Sequence, residues 1–361
     1  MSIPFKNAIF QGSMALIILF FIYSLFKHKD YSILIENLRK VRYLSIGFFL
    51  IVFSMILSNL VNPENLSEKS WHTTFMFVIR YGLIFVCLAY FYKKKYFEEK
   101  FVKILVYSSL TYLALLGLYE LILNPSILNG IGIHGTLNNR NSFGLHMGMG
   151  VVLSAILFTY NKKVAVILFS IFTFLMIFSF SRSSWVASFA SIFVLMVFNY
   201  REIKMNHILY IFGFIGLLLA VYFSSDSLQM RFSQLLEGYS SHRTTIWLHT
   251  IEFIKLNPII GYGIDSWASL PNTYLNKFPD PHNMVLEILL YTGLIGFFFC
   301  FFTIFIILKE IVKSKNCLYL SVSIYFLVIT QFDFGAFFTK EILSFLTIFV
   351  FLIYSKKFKE E

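Results

Sequence analysis

Apolar stretches about one bilayer thick recur along nearly the whole chain, and that recurrence limits the possible folds more than any other feature. A membrane-spanning helix needs about 20 mostly apolar residues. Such runs lie at about residues 8–26, 43–61, 71–92, 104–123, 142–160, 164–180, 184–199, 207–223, 283–308, 317–333 and 341–355. Composition points the same way. Only 14% of the 361 residues are charged, whereas a soluble domain carries roughly 25%. The 45 phenylalanines could be buried only if lipid does most of the burying. The expected fold is therefore all-α and integral to the membrane. It forms a single polytopic domain over residues 1–361, with about eleven transmembrane helices.

The net charge of +11 would suggest nucleic acid as a partner in a soluble protein. Here the bias toward positive cytoplasmic loops explains it better, and no nucleic-acid partner is expected. Counted over alternate loops, one set holds 20 Lys and Arg residues and the other nine, with Arg80 inside the third run. The richer set includes the stretches after residues 26 and 92 and the C-terminal tail, which are placed in the cytoplasm. Eleven spans then put the N-terminus outside. The first run has no basic leader and no small-residue cleavage site, so it reads as a retained helix. Cys87, Cys300 and Cys317 lie in or beside apolar runs, with no spacing that suggests a disulfide framework or a metal.

This orientation places residues 224–282 on the outer, periplasmic face as the one long loop. Loops of that length are usually functional or contain structure of their own. Within it, TTIWLHTIEFIKL puts Trp247, Ile251 and Ile254 on one helical face, which predicts an amphipathic helix lying across the mouth of the bundle. Asn257-Pro258 should end that helix, and Gly261-Tyr262-Gly263 should turn tightly after it.

Ionisable residues near membrane depth are costly and need a reason. Arg140 stands in GTLNNRNSFG, Arg182 in SFSRSSW, Arg243 in SHRTTIW and His282 in DPHN. The topology puts all four at the outer interface. Arg80 lies about nine residues inside its run, roughly 13 Å deep at 1.5 Å per residue. A lone interfacial arginine usually snorkels to water, and a lone histidine at a helix start is often only a cap. Several on one face instead suit a phosphate or pyrophosphate, which Arg grips bidentately while staying charged. A nearby histidine can move a proton near neutral pH. With arginines as its expected neighbours, His282 should have a lowered pKa. Glu120, Glu287 and Asp333 lie near the same face, and their expected role is pairing with arginine. No DxD, acidic metal cluster, phosphate loop, GxSxG or HExxH is present. The expected chemistry uses no metal, nucleotide or other cofactor.

These residues carry a resemblance. SFSRSSWVASFAS resembles the SRSxW element of the O-antigen ligase/polymerase family. The ordered set Arg243, Trp247, Asn257-Pro258, Gly261-Tyr262-Gly263, His282-Asn283, Gly293 and Gly296 resembles its long periplasmic loop and closing helix. Asn139-Arg140-Asn141-Ser142 resembles a further, weaker element. The resemblance covers about residues 130–300. It implies metal-free glycosyl transfer at the periplasmic face of the bacterial inner membrane, from a glycan on undecaprenyl pyrophosphate. In ligases the acceptor is lipid A–core; in polymerases it is another lipid-linked repeat. Carried onto this chain, the family's arginines and histidine fall on Arg182, Arg243 and His282 as catalytic residues. Arg140, Arg80 and Asn283 stand as substrate-binding candidates. Members are often drawn with twelve spans and a cytoplasmic N-terminus, one helix more than is read here. The ligase is the favoured reading and the polymerase shares its site. A transporter of lipid-linked sugars would place polar groups at the midplane in repeated halves, a pattern this sequence lacks.

Overall fold

Why the apolar runs become helices follows from the bilayer itself. Inside hydrocarbon every backbone N–H and C=O must find a partner within the protein, and a helix supplies one residue by residue. The computed structural model describes residues 7–137, 139–158, 161–199, 222–223, 225–238, 242–270, 278, 280–333 and 340–359. Among these residues there is no strand. The helices are α1 (Asn7–His28), α2 (Tyr31–Lys40), α3 (Arg42–Val61), α4 (Ser70–Lys93), α5 (Glu99–Leu123), α6 (Arg140–Leu157) and α7 (Lys162–Phe178). They continue as α8 (Arg182–Phe198), α9 (Asp226–Leu236), α10 (Arg243–Leu256), α11 (Met284–Ser314), α12 (Cys317–Ile329) and α13 (Lys340–Lys359).

Each apolar run is thus a helix except the one at 207–223, nearly all of which lies outside the described residues. Among the described residues, five helical stretches are long and apolar enough to cross a membrane: Gln11–His28 within α1, then α3, α4, α5 and α11. Helices α8 and α12 are apolar but shorter. The outward surfaces carry large apolar side chains, among them Leu19, Phe49, Phe75, Ile122, Phe189 and Phe298. Water would penalise that exposure by roughly 25 cal/mol per Å²; lipid does not.

The contacts group the chain into two compact units. The first joins Met1–Leu105, Arg243–Ser314 and Thr330–Glu361. Its main core gathers Met55, Phe77, Ile246, Ile264, Trp267, Ile288 and Tyr291 from α3, α4, α10, α11 and the segment before α11. The second joins Val106–His242 with Lys315–Ile329. There α6 packs on α7 and α8, and α12 packs on α8. Ser191 and Ser321 bind across that last pair at 2.8 Å, and the Tyr325 hydroxyl donates to the Leu145 carbonyl at 2.7 Å.

Among the described residues, two of the long helices, α4 and α11, depart locally from regular α-helix. Residues Val78–Leu83 of α4 form a π-helical turn that contains Arg80. Gly293 interrupts α11 with φ 63° and ψ −164°, about nine residues from its start and roughly 14 Å along the axis. A broken helix frees carbonyls before the break and N–H groups after it. The segment following α10 satisfies them. Tyr262 and Gly263 N–H donate to the Leu290 and Tyr291 carbonyls at 2.8 and 3.1 Å, while Leu294 and Ile295 N–H donate to Pro258 and Ile259 at 2.8 and 3.2 Å. The Ser58 hydroxyl also donates to the Tyr291 carbonyl, at 2.6 Å. Gly261 and Gly263 have φ 78° and 92°. The Asn257 amide closes the turn by donating to the Gly261 carbonyl at 2.5 Å. Asn257, Pro258 and the three nearby glycines thus form one device that docks a loop into a broken helix.

The helix expected after Arg243 is present and ends before Asn257, but its buried face differs. Ile246 and Thr250 are fully buried, Trp247, Phe253 and Ile254 flank them, and Ile251 turns outward. Leu248 and Leu256 are exposed as well, so the apolar residues do not form a single stripe. Helix α9 was not anticipated. Ser225 caps it by accepting the Leu228 N–H, and Leu228 anchors it in the second unit. Residues 224, 239–241, 271–277 and 279 of the long loop lie outside the described residues.

Candidate functional site

In the first unit, three of the expected residues come together at the start of α11. Arg243 is the first residue of α10, and its guanidinium pairs with the carboxylate of Asp333. Both side chains are largely buried, Asp333 almost wholly. Trp247, one turn on, donates its indole N–H to the Pro281 carbonyl at 3.1 Å and packs beside Phe332. One tryptophan thereby ties α10 to both the segment before α11 and the segment that carries Asp333.

His282 does not cap the helix. Asn283 does: its side-chain oxygen accepts the Leu286 N–H at 3.0 Å, and its amide nitrogen donates to the Gln331 carbonyl at 3.1 Å. His282 sits just before that cap with φ 51°, a left-handed conformation uncommon outside glycine. Asp280 holds it from two sides. Asp280 Oδ1 accepts the His282 backbone N–H at 2.7 Å and lies 3.0 Å from the imidazole Nδ1. A carboxylate, and not an arginine, is therefore the nearest charge to the ring.

This corrects the electrostatic expectation. Burial pulls the His282 pKa down, but contact with Asp280, its charge and that of Asp333 outweigh both burial and the opposing charge of Arg243. The net shift is upward from the ordinary imidazole value near 6.5. The sequence contained the signal, since Asp280 is part of the same DPHN motif. Asp333 was expected to pair with an arginine, and it does.

Arg80 belongs to the same unit but to α4, in the π-helical turn. Its backbone carbonyl accepts the Thr347 hydroxyl at 3.0 Å. The wider turn leaves that carbonyl available to a side chain of α13, and single π turns occur frequently at functional sites.

The second unit holds Arg140 and Arg182, each at the first position of a helix. Asn139 caps α6 by accepting the Ser142 N–H at 2.8 Å. Arg140 reaches back and donates to the carbonyls of Gly130 and Ile131 at 3.2 and 3.1 Å. Those bonds give it a structural task as a brace for the loop before α6. Arg182 is buried and follows a polar turn between α7 and α8. In that turn the Ser181 hydroxyl meets those of Ser183 and Ser184 at 3.1 and 2.8 Å, and Trp185 donates to the Met176 carbonyl at 3.1 Å. The loop braced by Arg140 touches the same turn through Ile133 N–H and the Phe178 carbonyl, at 2.9 Å. A Cβ on Gly144 would stand 2.5 Å from that of Ser181, so α6 approaches the turn only because glycine is there.

The other carboxylates divide. Glu120 binds His134 at 3.0 Å and accepts the N–H groups of His134 and Gly135, so its partners are not arginines. Glu287 is fully buried in α11. Among the described residues no group of three or more His, Cys, Asp or Glu side chains could hold a metal ion.

Residues 164–301 match a family model described as O-antigen ligase. The match covers 138 of the 361 residues and supports an O-antigen ligase/polymerase family assignment. It spans the serine turn with Arg182, the helix opened by Arg243, the docking loop, and His282 to Gly293. Arg80, Arg140 and Asp333 lie outside it. A comparison with curated proteins finds no match. That description supports a glycosyltransferase-type role in O-antigen or polysaccharide assembly.

Proposed function

We propose that this protein is an O-antigen ligase. In this reading it is a metal-independent, inverting glycosyltransferase that moves a glycan from undecaprenyl pyrophosphate to lipid A–core. The observation that carries the reading is the grouping of Arg243, Asp333, His282 and Asp280 at the start of α11, within and beside the matched segment. Asp280 orients the imidazole and raises its basicity, as a carboxylate does for any histidine base. Neutral His282 takes the proton of the acceptor hydroxyl while that oxygen attacks the anomeric carbon. The bond from that carbon to the pyrophosphate breaks, and the departing oxygen gains negative charge. Arg243 stabilises that charge. Arg182 is assigned the same donor on the strength of the family resemblance, and Asn283 positions the histidine. Arg140 and Arg80 are ranked below them; Arg140 already braces a loop.

The reading includes about eleven spans in the inner membrane, with 224–282 on the periplasmic face. The 20-to-9 division of basic residues supports it. A reporter fused near Leu270 should behave as periplasmic, and cytoplasmic behaviour would overturn the orientation. The decisive assay mixes purified protein with a lipid-linked glycan and lipid A–core. Ligated lipid A–core, unaffected by EDTA and without ATP, is the expected product. Elongated lipid-linked glycan in its place would make the protein a polymerase sharing this site.

A further inference from the structure

Helix α2 occupies what reads in sequence as a basic loop between two spans, and its surface is divided three ways. At 100° per residue, Ile33, Leu34 and Asn37 fall on one side, and Val41 follows them just past the helix end. Ile33 and Leu34 pack onto Phe21, Leu25, Tyr90 and Phe91 of α1 and α4, and Asn37 and Val41 are buried. Ser32, Glu36, Arg39 and Lys40 fall on a second side, where Glu36 pairs with Lys40 and Lys93 at 2.6 and 3.2 Å. The third side holds Tyr31, Ile35 and Leu38, at spacings of four and three residues. All three are exposed, Ile35 by half.

A helix with one protein face, one polar face and one bare apolar face has the shape of an element lying at a boundary between protein, water and lipid. The connections fix its level. Two residues separate α2 from the end of α1, and one separates it from the start of α3; both neighbours are long enough to span. Cation–aromatic pairs stand at both joints. Lys27 lies over the Tyr23 ring at 5.2 Å and Arg42 over the Tyr43 ring at 4.6 Å, and all four residues are exposed. Such rings gather at the headgroup level of a bilayer. Lys27, Lys29, Arg39 and Arg42 give this end an exposed positive rim, which complements acidic lipid headgroups.

We propose that α2 is an in-plane interfacial helix, with Tyr31, Ile35 and Leu38 inserted among the lipid chains and the basic rim held on acidic headgroups. The test is nitroxide accessibility in the full-length protein in nanodiscs, with a Cys317→Ser background because Cys87 and Cys300 are buried. A label at Ile35→Cys should collide preferentially with oxygen, and one at Ser32→Cys with a water-soluble nickel chelate. A nickel-accessible Ile35 label would show the face in water and overturn insertion. An Ile35 label shielded from both reagents would mean that a protein surface covers the face, which also overturns it. Replacing phosphatidylglycerol by phosphatidylcholine should make the Ile35 label shallower, as should Arg39→Gln with Arg42→Gln. An unchanged depth in both cases would remove the acidic lipid from the proposal.

Discussion

The guanidinium of Arg243 at the start of α10 pairs with the carboxylate of Asp333, ninety residues further along the chain. Removing one partner of a largely buried pair leaves the other uncompensated, typically at about 3–5 kcal/mol. Arg243→Ala should therefore lower the thermal stability of the purified protein, and its inactivity would say little about chemistry. Arg243→Lys keeps the charge but loses the planar fork. That variant should fold, yet transfer glycan about 10- to 100-fold more slowly, the equivalent of one charge-assisted hydrogen bond. Arg182→Lys should behave alike. Full activity in both lysine variants would show that positive charge alone suffices.

The pH dependence of transfer should report the Asp280–His282 pair. The folded pKa of His282 lies above its ordinary value, so the protonated ring contributes stability that is fully present below about pH 6.5. That contribution disappears as pH rises through the folded pKa. A base acts only once deprotonated, so kcat/KM should climb with a midpoint above about 6.5. In Asp280→Asn the ring loses its nearest anion while burial and Arg243 remain, and the midpoint should move down. A midpoint that ignores Asp280→Asn would remove His282 as the titrating base.

Replacing His282 separates chemistry from backbone geometry. At φ 51° alanine is strained, whereas asparagine tolerates the left-handed region better. His282→Asn should keep the protein folded and lose about 10²–10⁴-fold in transfer, the usual worth of general-base assistance. Asn283→Ala removes a helix cap, costs about 1 kcal/mol of stability and should slow transfer less. An active His282→Asn protein would end the catalytic assignment.

Asn37 offers a test of packing away from the site. It is buried beside Leu34, Val41, Phe85 and Phe358, and neither of its side-chain amide atoms has a hydrogen-bond partner among the described residues. A buried polar group without a partner costs about 1–3 kcal/mol. Asn37→Leu keeps the branching of the side chain and removes both polar atoms, so it should raise the unfolding temperature. A fall would mean that an unseen polar partner satisfies the amide.

Apolar runs made the long helices legible, because one span in lipid requires its own uninterrupted stretch. Short elements at the boundary were not. Helix α2 mixes charge and apolar residues over ten positions, and α9 does the same over eleven, so neither stands out by hydropathy. The arginines and His282 could be picked out because charge near a membrane demands a reason. Their partners could not be assigned: Asp333 meets Arg243 only through the fold, and Asp280 was overshadowed by the arginines expected around His282. Arg140 shows the reverse case, a guanidinium whose visible bonds go to backbone carbonyls that no sequence pattern discloses.

Gly293 should be the least replaceable glycine of α11. Its φ and ψ fall in a region open essentially to glycine alone, and a Cβ there would run into the Ile259 carbonyl. Gly293→Ala faces two choices. It can hold the break at a strain of about 1–3 kcal/mol plus the overlap with the docking loop. Alternatively, α11 can straighten, and the carbonyls of Leu290 and Tyr291 then abandon Tyr262 and Gly263. Either route loosens the loop between α10 and α11, and with it the approach of Trp247 to Pro281. The expected result is a loss of about 3 kcal/mol or more, read as a lower unfolding temperature together with lost transfer. Gly12→Ala in α1, where nothing lies within 4 Å of the added carbon, should be neutral or slightly stabilising. If Gly293→Ala matched Gly12→Ala in both measurements, the docked break would not be what holds the Arg243 and His282 segments in place.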